Sequence, residues 1–193
     1  MSNFRTNALD QAFSYVNNQL GAISAAAQLY QAARNWGRIH RLRSALTGKS
    51  HRLFSLEAVQ AACNVRGRRY TGVQTVPIRQ IRGSEGRSDD FDVNFAPLKT
   101  HTRERWLRIA VARQAGAQMP PVKLIRIGDV YFVRDGHHRI SVARALGQTE
   151  IEAEVTVWQI AGAPPWKPHA QSCAWMNQSV GQACIKTATA RLV

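Results

Sequence analysis

The sequence predicts an α+β fold: a small mixed sheet with packed helices, preceded by a helical, basic N-terminal extension. Two runs of strand-forming residues flank Gly128-Asp129, a pair that favours a tight hairpin turn. Downstream, apolar residues from Ile140 to Leu146 have helical spacing, and residues 151–157 alternate apolar with polar side chains. Near the N-terminus, apolar residues recur three and four positions apart over residues 8–33, which is typical of a long helix.

Composition and charge limit the classes of protein. The chain has 193 residues, 45% of them hydrophobic, which suits one packed domain of ordinary size with an appendage. Its formal net charge is +14, and residues 1–88 hold 13 basic against 3 acidic side chains. We therefore expect an anionic partner for the front half: nucleic acid, an acidic protein or an anionic lipid surface.

Targeting signals and cysteines indicate the compartment. No apolar run approaches the roughly 18–20 residues that span a bilayer, and no secretory signal is recognisable, so we expect no transmembrane segment. An odd number of widely spaced cysteines fits a reducing, cytoplasmic environment: Cys63, Cys173 and Cys184. Together with His169, the last two are too irregularly spaced for a structural zinc site.

The predicted first helix has a heptad-like apolar seam. Between Arg5 and Arg34 the sole charged residue is Asp10, whereas a solvated coiled coil normally carries charges beside its seam. Either the seam packs on the rest of the chain, or it forms a homodimer. Its residues are Leu9, Phe13, Val16, Leu20, Ile23, Ala27 and Tyr30.

A basic segment follows, at residues 34–52, without a single acidic residue. An apolar stripe of Ile39, Leu42 and Leu46 predicts a second helix that ends near Gly48. Unpaired arginines suit contact with a phosphate backbone; a plain solvated face and a helix lying on a membrane surface are the alternatives. The arginines proposed for nucleic acid here are Arg34, Arg38, Arg41 and Arg43.

Shorter elements lead into the domain. Ser55 is the predicted N-cap of a helix over residues 56–63. Residues 66–70 are predicted to form a basic loop that either binds nucleic acid, with Tyr70 stacking on a base, or is a surface turn. A strand over residues 75–81 and a helix over residues 102–115 come next. The loop arginines proposed for nucleic acid are Arg66, Arg68 and Arg69.

The polar loop at residues 82–92 offers groups for a nucleotide. Gly83, Ser84 and Arg87 are predicted to contact its phosphates, while Asp90 and Asp92, with Asp89, could hold Mg²⁺. In an enzyme, Glu85 or Asp92 would be catalytic, with Glu85 as a general base. The alternative is a solvated acidic turn.

The turn at residues 135–139 contains the clearest chemical signal. A helix beginning at His137 or His138 directs unpaired N–H groups toward Gly136, where the helix dipole favours an anion. Arg139 would add a bidentate phosphate contact, and the two histidines further donors. The alternative is that Asp135 is only an N-cap and the basic residues are solvated.

Gly136-His137-His138-Arg139 resembles the Gly-x-x-Arg turn of the ParB/sulfiredoxin superfamily of nucleotide-binding domains, and the order of flanking elements is similar. The resemblance covers residues 73–158 and implies a ParB/sulfiredoxin-like domain that holds nucleotide phosphates. More narrowly, the turn resembles a ParB-like bacterial group of unassigned function when combined with two earlier runs, Gly83-Ser84-Glu85-Gly86-Arg87 and Asp90-Phe91-Asp92. The implied division is residues 1–70, a helical basic extension; 71–158, the nucleotide-binding domain; and 159–193, an irregular tail.

Departures from the superfamily narrow the expected activity. Sulfinic acid reductase chemistry requires a cysteine where this chain has His137, so we expect that activity to be absent. The partition proteins' motif differs too, so the nucleotide stays open between CTP, ATP and ADP, with Mg²⁺ as a further candidate. The leading hypothesis is a nucleotide-binding protein that contacts DNA through its basic front segment. A Mg²⁺-dependent kinase or nucleotide hydrolase and a ParB-like nuclease are the alternatives.

Overall fold

Helices and strands alternate along most of the chain. The computed structural model describes residues 3–48, 50–162, 164 and 166, with side chains from residue 14 onward. The helices are α1 (Asn3–Thr47), α2 (Leu56–Ala62), α3 (Arg103–Gln114) and α4 (His137–Ala145). The strands are β1 (Phe54–Ser55), β2 (Asn64–Pro77), β3 (Ile81–Ser84), β4 (Val122–Ile127), β5 (Val130–Asp135) and β6 (Glu150–Ala161).

The six strands form one mixed sheet in the order β1-β3-β5-β4-β6-β2. β1, β3 and β5 run parallel, β4 is antiparallel to β5 and parallel to β6, and β2 is antiparallel to β6. This arrangement confirms the predicted α+β class. It also brings the carboxyl ends of β1, β3 and β5 to the same edge of the sheet.

Both faces of the sheet centre are covered. Successive side chains of a strand point to opposite faces, so Leu124 and Val133 pack with Ile140 of α4, while Ile125 and Phe132 pack on the α2 side. Burial on both faces explains why β4 and β5 read as nearly continuous apolar runs in the sequence.

A third apolar cluster joins α1 to α3 and α4. Tyr30 of α1 meets Trp106 of α3 edge to face, with ring centroids 5.3 Å apart. Trp106 Nε1 donates to Ser141 Oγ of α4 at 2.9 Å. The predicted apolar face of α3 is thereby confirmed at Trp106 and Ala110, which are fully buried.

α1 is one helix, so the predicted division into two helices is wrong. The residues on its inner face are spaced alternately four and three positions apart. Gly37 is one of them, and a Cβ there would lie 2.9 Å from Ala96 Cβ. Because that spacing continues through the basic segment, the helix has no reason to end before it. The inner-face residues are Ala26, Tyr30, Ala33, Gly37, His40 and Ser44.

The N-terminal half of α1 exposes its predicted seam. Val16, Leu20 and Ile23 are 50%, 59% and 48% exposed, whereas Tyr30 is buried. The seam therefore packs on the chain itself only near its C-terminal end, and the homodimer stays a prediction. Leu9 and Phe13 of the seam lie outside the described side chains.

The predicted loop at residues 66–70 is wrong, because these residues belong to β2, which is paired with β6. β2 is an edge strand with one largely exposed face, where arginines are tolerated. The predicted strand over residues 75–81 likewise ends at Pro77, before a 3₁₀ turn at Ile78–Gln80. β2 runs through residues 70 and 71, where the sequence places a domain boundary; that division stays a prediction.

Other local predictions agree with the structure. Gly128 has φ +61° in the β4–β5 hairpin, and Ser55 caps α2. Gly147, two residues after the end of α4, has φ +79°, and Gln148 N–H is bonded to the Ala143 carbonyl, the pattern of a Schellman motif. Among the described helices, none is both long and apolar enough to cross a membrane. His169, Cys173 and Cys184 lie outside the described residues.

Candidate functional site

Three chain segments meet at the carboxyl ends of β1, β3 and β5. Ser55 follows β1 and caps α2, because its Oγ accepts a first-turn N–H at 3.1 Å. Glu57 Oε1 accepts the Gly86 N–H at 2.8 Å, which fixes the loop after β3 to the start of α2. Ser84 ends β3, and its Oγ lies 2.7 Å from Nε2 of His137 in α4. The predicted 82–92 loop and the predicted 135–139 turn are thus adjacent.

The start of α4 requires glycine. Gly136 has φ +102°, and a Cβ there would lie 2.5 Å from Val122 Cγ1. The first intrahelical bond runs from Ile140 N–H to the Gly136 carbonyl at 3.0 Å. Ahead of that bond, helix geometry leaves N–H groups whose partial positive charge attracts anions. They belong to His137, His138 and Arg139.

The two histidines are buried and neutral. Burial, and after it the charge of Arg87, lowers the pKa of His137 to about 4. Burial and the charge of Arg105 likewise lower the pKa of His138 to about 4. The Phe91 ring packs on both, at centroid distances of 6.0 and 5.3 Å. At neutral pH each imidazole therefore offers one N–H donor and no charge.

Four basic side chains lie around Asp90 and these histidines; we call Arg87, Lys99, His101 and Arg105 the cation cluster. The Asp90 carboxylate is 3.0 Å from Lys99 Nζ and 3.6 Å from nitrogen atoms of both Arg87 and His101. Burial raises the pKa of Asp90, but the Lys99 hydrogen bond and the nearby positive charges outweigh it and hold the pKa below its usual value. Asp90 is therefore an internal anion where basic side chains converge.

His138 provides an unsatisfied polar atom at this place. Its Nε2 is buried and has no hydrogen-bond partner among the described residues. The charges of Arg105, Arg87 and His101 all lower the pKa of its ring, so the ring lies within electrostatic range of the cation cluster. Leaving a buried polar atom unpaired costs about 1–3 kcal/mol. A ligand that hydrogen-bonds to this nitrogen would recover that cost.

Arg139 is bound to its own chain. Its guanidinium donates to the carbonyls of Pro120 and Pro121 and to Asp135 Oδ2, the last at 2.6 Å. Its side chain is only 14% exposed. Arg139 thus joins the segment before β4 to the end of β5, and it also borders a cavity of about 470 Å³ with Arg105 and Arg108.

Two predicted site residues, one within β3 and one in the loop after it, have structural partners. Gly83 packs against Phe132, whose ring atoms would lie 2.1 Å from an added Cβ. Glu85 pairs with Arg134, with 2.9 Å between Oε2 and Nε. Gly83 is therefore explained by packing of β3 on β5. Catalysis by Glu85 stays a prediction.

The proposed metal ligands Asp90 and Asp92 contact different partners. Asp92 is fully buried, and its Oδ1 accepts the N–H groups of Asn94 and Ala96 at 2.9 and 2.8 Å. Its Oδ2 lies 3.5 Å from His40 Nδ1. Within the described part of the chain, no group of three or more His, Cys, Asp or Glu side chains is suited to hold a metal ion. The Mg²⁺ role of these two aspartates, and that of the exposed Asp89, stays a prediction.

The predicted nucleic-acid arginines fall into two groups on different elements. α1 packs on α3 and α4, and there the Arg34 guanidinium lies 5.9 Å from the Tyr30 ring centroid. Arg68 of β2 stacks at 4.4 Å on Trp158, which belongs to the cluster on the α2 side. The fold thus separates Arg38, Arg41 and Arg43 of α1 from Arg66, Arg68 and Arg69 of β2.

No family model and no curated protein matches the chain. Among solved structures, a sulfiredoxin from Arabidopsis thaliana is similar over 44% of this chain and 84% of its own, at 20% identity and a TM-score of 0.30. A likeness this low carries no argument about function, and membership in the superfamily stays a prediction.

Sequence reasoning missed three members of the site: Lys99, His101 and Arg105. Lys99 and His101 precede α3, and Arg105 lies in its first turn. The sequence feature that could have identified them is the recurrence of basic residues at the start of a helix whose other face is apolar. The placement of Lys99 and His101 at Asp90, and of Arg105 near His138, depends on how α3 packs against α4, which no local pattern records.

Proposed function

We propose that this protein binds the phosphates of a nucleotide at the start of α4. The observation that carries the proposal is the buried, unpartnered His138 Nε2 beside the cation cluster. With its proton on Nε2, this neutral ring would donate to a phosphate oxygen, and the free N–H groups of the first helical turn would do the same. Arg87 and Arg105 would supply the charge-assisted contacts.

In this proposal, an incoming phosphate takes over the basic partners that Asp90 now holds. The Asp90 carboxylate already neutralises Lys99 and Arg87. An incoming phosphate carries more charge than a carboxylate and would take over those partners, so the aspartate would swing toward solvent or share a Mg²⁺ ion with the phosphate. The cavity of about 470 Å³ between Arg105, Arg108 and Arg139 offers room for the rest of the ligand.

Calorimetric titration of the full chain with CTP, ATP and ADP, each with and without Mg²⁺, tests the proposal. Arg105→Ala should weaken binding roughly ten-fold or more, because a charge-assisted contact contributes about 1.5–3 kcal/mol. Arg103→Ala is the matched control: it removes the same charge from the same helix, two positions away on another side of α3. Absence of binding by all three nucleotides, or equal losses in both variants, would refute the phosphate site.

We propose further that nucleic acid is contacted through α1 alone. Arg38 and Arg41 line one open hollow of about 650 Å³ with Ser50 and His51, an arrangement favourable for a phosphate backbone. Binding to duplex DNA should weaken steeply with salt. It should fall in an Arg38→Ala, Arg41→Ala double variant and persist when Arg66 and Arg69 become Ala. The reverse pattern would move the interface to β2, and no loss in either variant would refute it.

Catalysis by Glu85 or Asp92 is a separate prediction. A kinase or nucleotide hydrolase using Glu85 or Asp92 with Mg²⁺ should release or transfer phosphate, and lose this in Glu85→Gln or Asp92→Asn. A nuclease should nick plasmid DNA without nucleotide. The Glu85–Arg134 pair and the burial of Asp92 do not favour either reaction, so the proposal is binding rather than turnover.

A further inference from the structure

A second cavity lies between α1, α4 and the turn at residues 92–96, and we call it the α1 cavity. Its volume is about 460 Å³, in the ordinary range of pockets for small molecules. Small apolar side chains form much of the wall. Its polar lining residues are His40, Asp92, Asn94, Ser141 and Arg144, and its aromatic ones are Trp36 and Phe95.

Two polar atoms of this cavity are buried without hydrogen-bond partners among the described residues: His40 Nδ1 and Asp92 Oδ2. They lie 3.5 Å apart and form no hydrogen bond with each other. Asp92 Oδ1 is already engaged by two backbone N–H groups, so Oδ2 is the free acceptor. One nitrogen carrying two protons could donate to both atoms, provided that the His40 proton is on Nε2.

The cavity also holds a positive charge. Arg144 is half-buried, and its Nη2 donates to Asn94 Oδ1 at 2.6 Å. A guanidinium has five N–H donors, so others are available to a ligand. The Asp92 carboxylate and the Arg144 guanidinium therefore give the cavity one negative and one positive group.

This charge balance excludes simpler ligands. A free amine would meet Asp92 favourably but would also face the Arg144 charge. A phosphate would meet Arg144 favourably but face the Asp92 carboxylate. A metal ion would gain two protein ligands, His40 and Asp92, fewer than structural or catalytic sites supply, and Arg144 would oppose it.

We propose that the α1 cavity binds a small apolar zwitterion of the class of α-amino acids with apolar side chains. The ammonium group would donate to Asp92 Oδ2 and His40 Nδ1, and the carboxylate would accept from Arg144. The side chain would pack on Leu29, Ala33 and the Trp36 ring, which lines the cavity and is partly exposed.

Titration calorimetry on the full chain tests the ligand class without any mutation. The probes are L-leucine and L-phenylalanine, each beside the amine that lacks its carboxylate and the acid that lacks its amino group. We expect an amino acid to bind roughly ten-fold more tightly than either fragment, because each fragment leaves one buried charge unpaired. If no amino acid binds, or the amine binds as tightly as the amino acid, the proposal is overturned.

Matched variants test the residues. Asp92→Asn keeps an Oδ1 acceptor for the two backbone N–H groups and replaces the free oxygen by a donor, so amino-acid affinity should fall roughly ten-fold. Asp90→Asn makes the same change two residues away, outside the cavity, and should leave affinity unchanged. Unchanged affinity in Asp92→Asn would overturn the proposal.

A third variant tests the cavity by its volume and not by its charge. Ala145→Leu changes no charge and fills part of the cavity from α4. With its thermal melt preserved, it should abolish binding, and undiminished binding in the folded variant would place the ligand elsewhere. Asp92→Asn and Ala145→Leu leave both the cation cluster and Asp90 unchanged, so nucleotide titration of these two variants separates this proposal from the phosphate site.

Discussion

The cation cluster and the α1 cavity contain aspartates two residues apart that occupy opposite environments. Asp90 lies among Lys99, Arg87 and His101, and those positive charges lower its pKa despite partial burial. Asp92 is fully buried, and burial raises its pKa although two backbone N–H groups bind it. The role of each carboxylate therefore depends on the elements packed against it and not on its position in a short acidic run.

The two aspartates also contribute to stability with opposite signs. Asp90, with its pKa below the usual 3.8, contributes stability that is present above that pH and lost as the pH falls through the lowered value. Asp92, with its pKa above 3.8, contributes stability that is present below that pH and lost as the pH rises through the raised value. A single acid titration of the protein therefore adds two opposing responses.

The largest expected effect is loss of stability in acid, and it should come from the region of the cation cluster. His137 and His138 have pKa values lowered from 6.5 to about 4. The unfolded chain takes up protons first, so their contribution is present above pH 6.5 and lost as the pH falls toward 4. We expect the free energy of unfolding to fall by about 2 kcal/mol per histidine between neutral pH and about pH 4.5.

Denaturant melts at several pH values measure this loss. His138→Gln should remove about half of it, because one of the two proton uptakes disappears. His40→Gln alters the α1 cavity instead and is the control. If His40→Gln flattened the profile as much as His138→Gln, the assignment of acid sensitivity to the cation cluster would be wrong.

The next largest effect is the loss of unfolding free energy when each aspartate is replaced by alanine. Asp92→Ala leaves two backbone N–H groups of the 92–96 turn unpaired, and this turn holds Phe95 at φ +58°. We expect a loss of about 3 kcal/mol in unfolding free energy. Asp90→Ala should cost about 1 kcal/mol, since its partners are exposed cations. Urea denaturation measures both, and a larger loss for Asp90→Ala would reverse the comparison.

A smaller effect concerns ligand selectivity. Arg105→Ala should weaken nucleotide binding roughly ten-fold and leave amino-acid binding unchanged. Arg144→Met should do the opposite, because it removes the positive group of the α1 cavity alone. Both variants are measured by calorimetry with the same two ligands. A loss of both affinities in either variant would mean that the two regions are not independent.

The smallest effect is the response to salt. The cation cluster is partly exposed, so nucleotide affinity should fall several-fold between low and physiological ionic strength. Amino-acid affinity should change by less than about two-fold, because Asp92 is fully buried and Arg144 half-buried, so both charges are screened less. Titrations in increasing KCl measure both, and parallel slopes would contradict the difference in burial.

Local patterns predicted the elements that depend on local chemistry. The hairpin at Gly128, the Ser55 cap, the glycine before α4 and the alternation of β6 all follow from turn geometry or side-chain period. The continuity of α1 did not follow. Its inner-face residues from Gly37 to Ser44 are small or polar, so the sequence alone does not mark them as a buried helix face. Their burial is evident only from the packing of the helix beside Ala96.

The candidate site was predicted in part, for a similar reason. The adjacency of Ser84 and His137 follows from the parallel pairing of β3 with β5. Lys99 and Arg105 join the site through packing of α3 on α4, at long range in the chain. Burial raises the pKa of Asp92, whereas at Asp90 the Lys99 hydrogen bond and nearby positive charges outweigh burial and lower it. Both shifts depend on which elements pack around each carboxylate, and no short-range pattern contains that information.

The uninterrupted length of α1 fixes distances between molecules. At about 1.5 Å per residue, a helix of 45 residues extends roughly 68 Å, while its described inner-face packing begins at Ala26. The half that bears Val16, Leu20 and Ile23 is therefore a rigid continuation of a helix anchored on α3. Any partner seated on those side chains would stand at one defined separation and angle from the sheet, as it could not on a flexible tether.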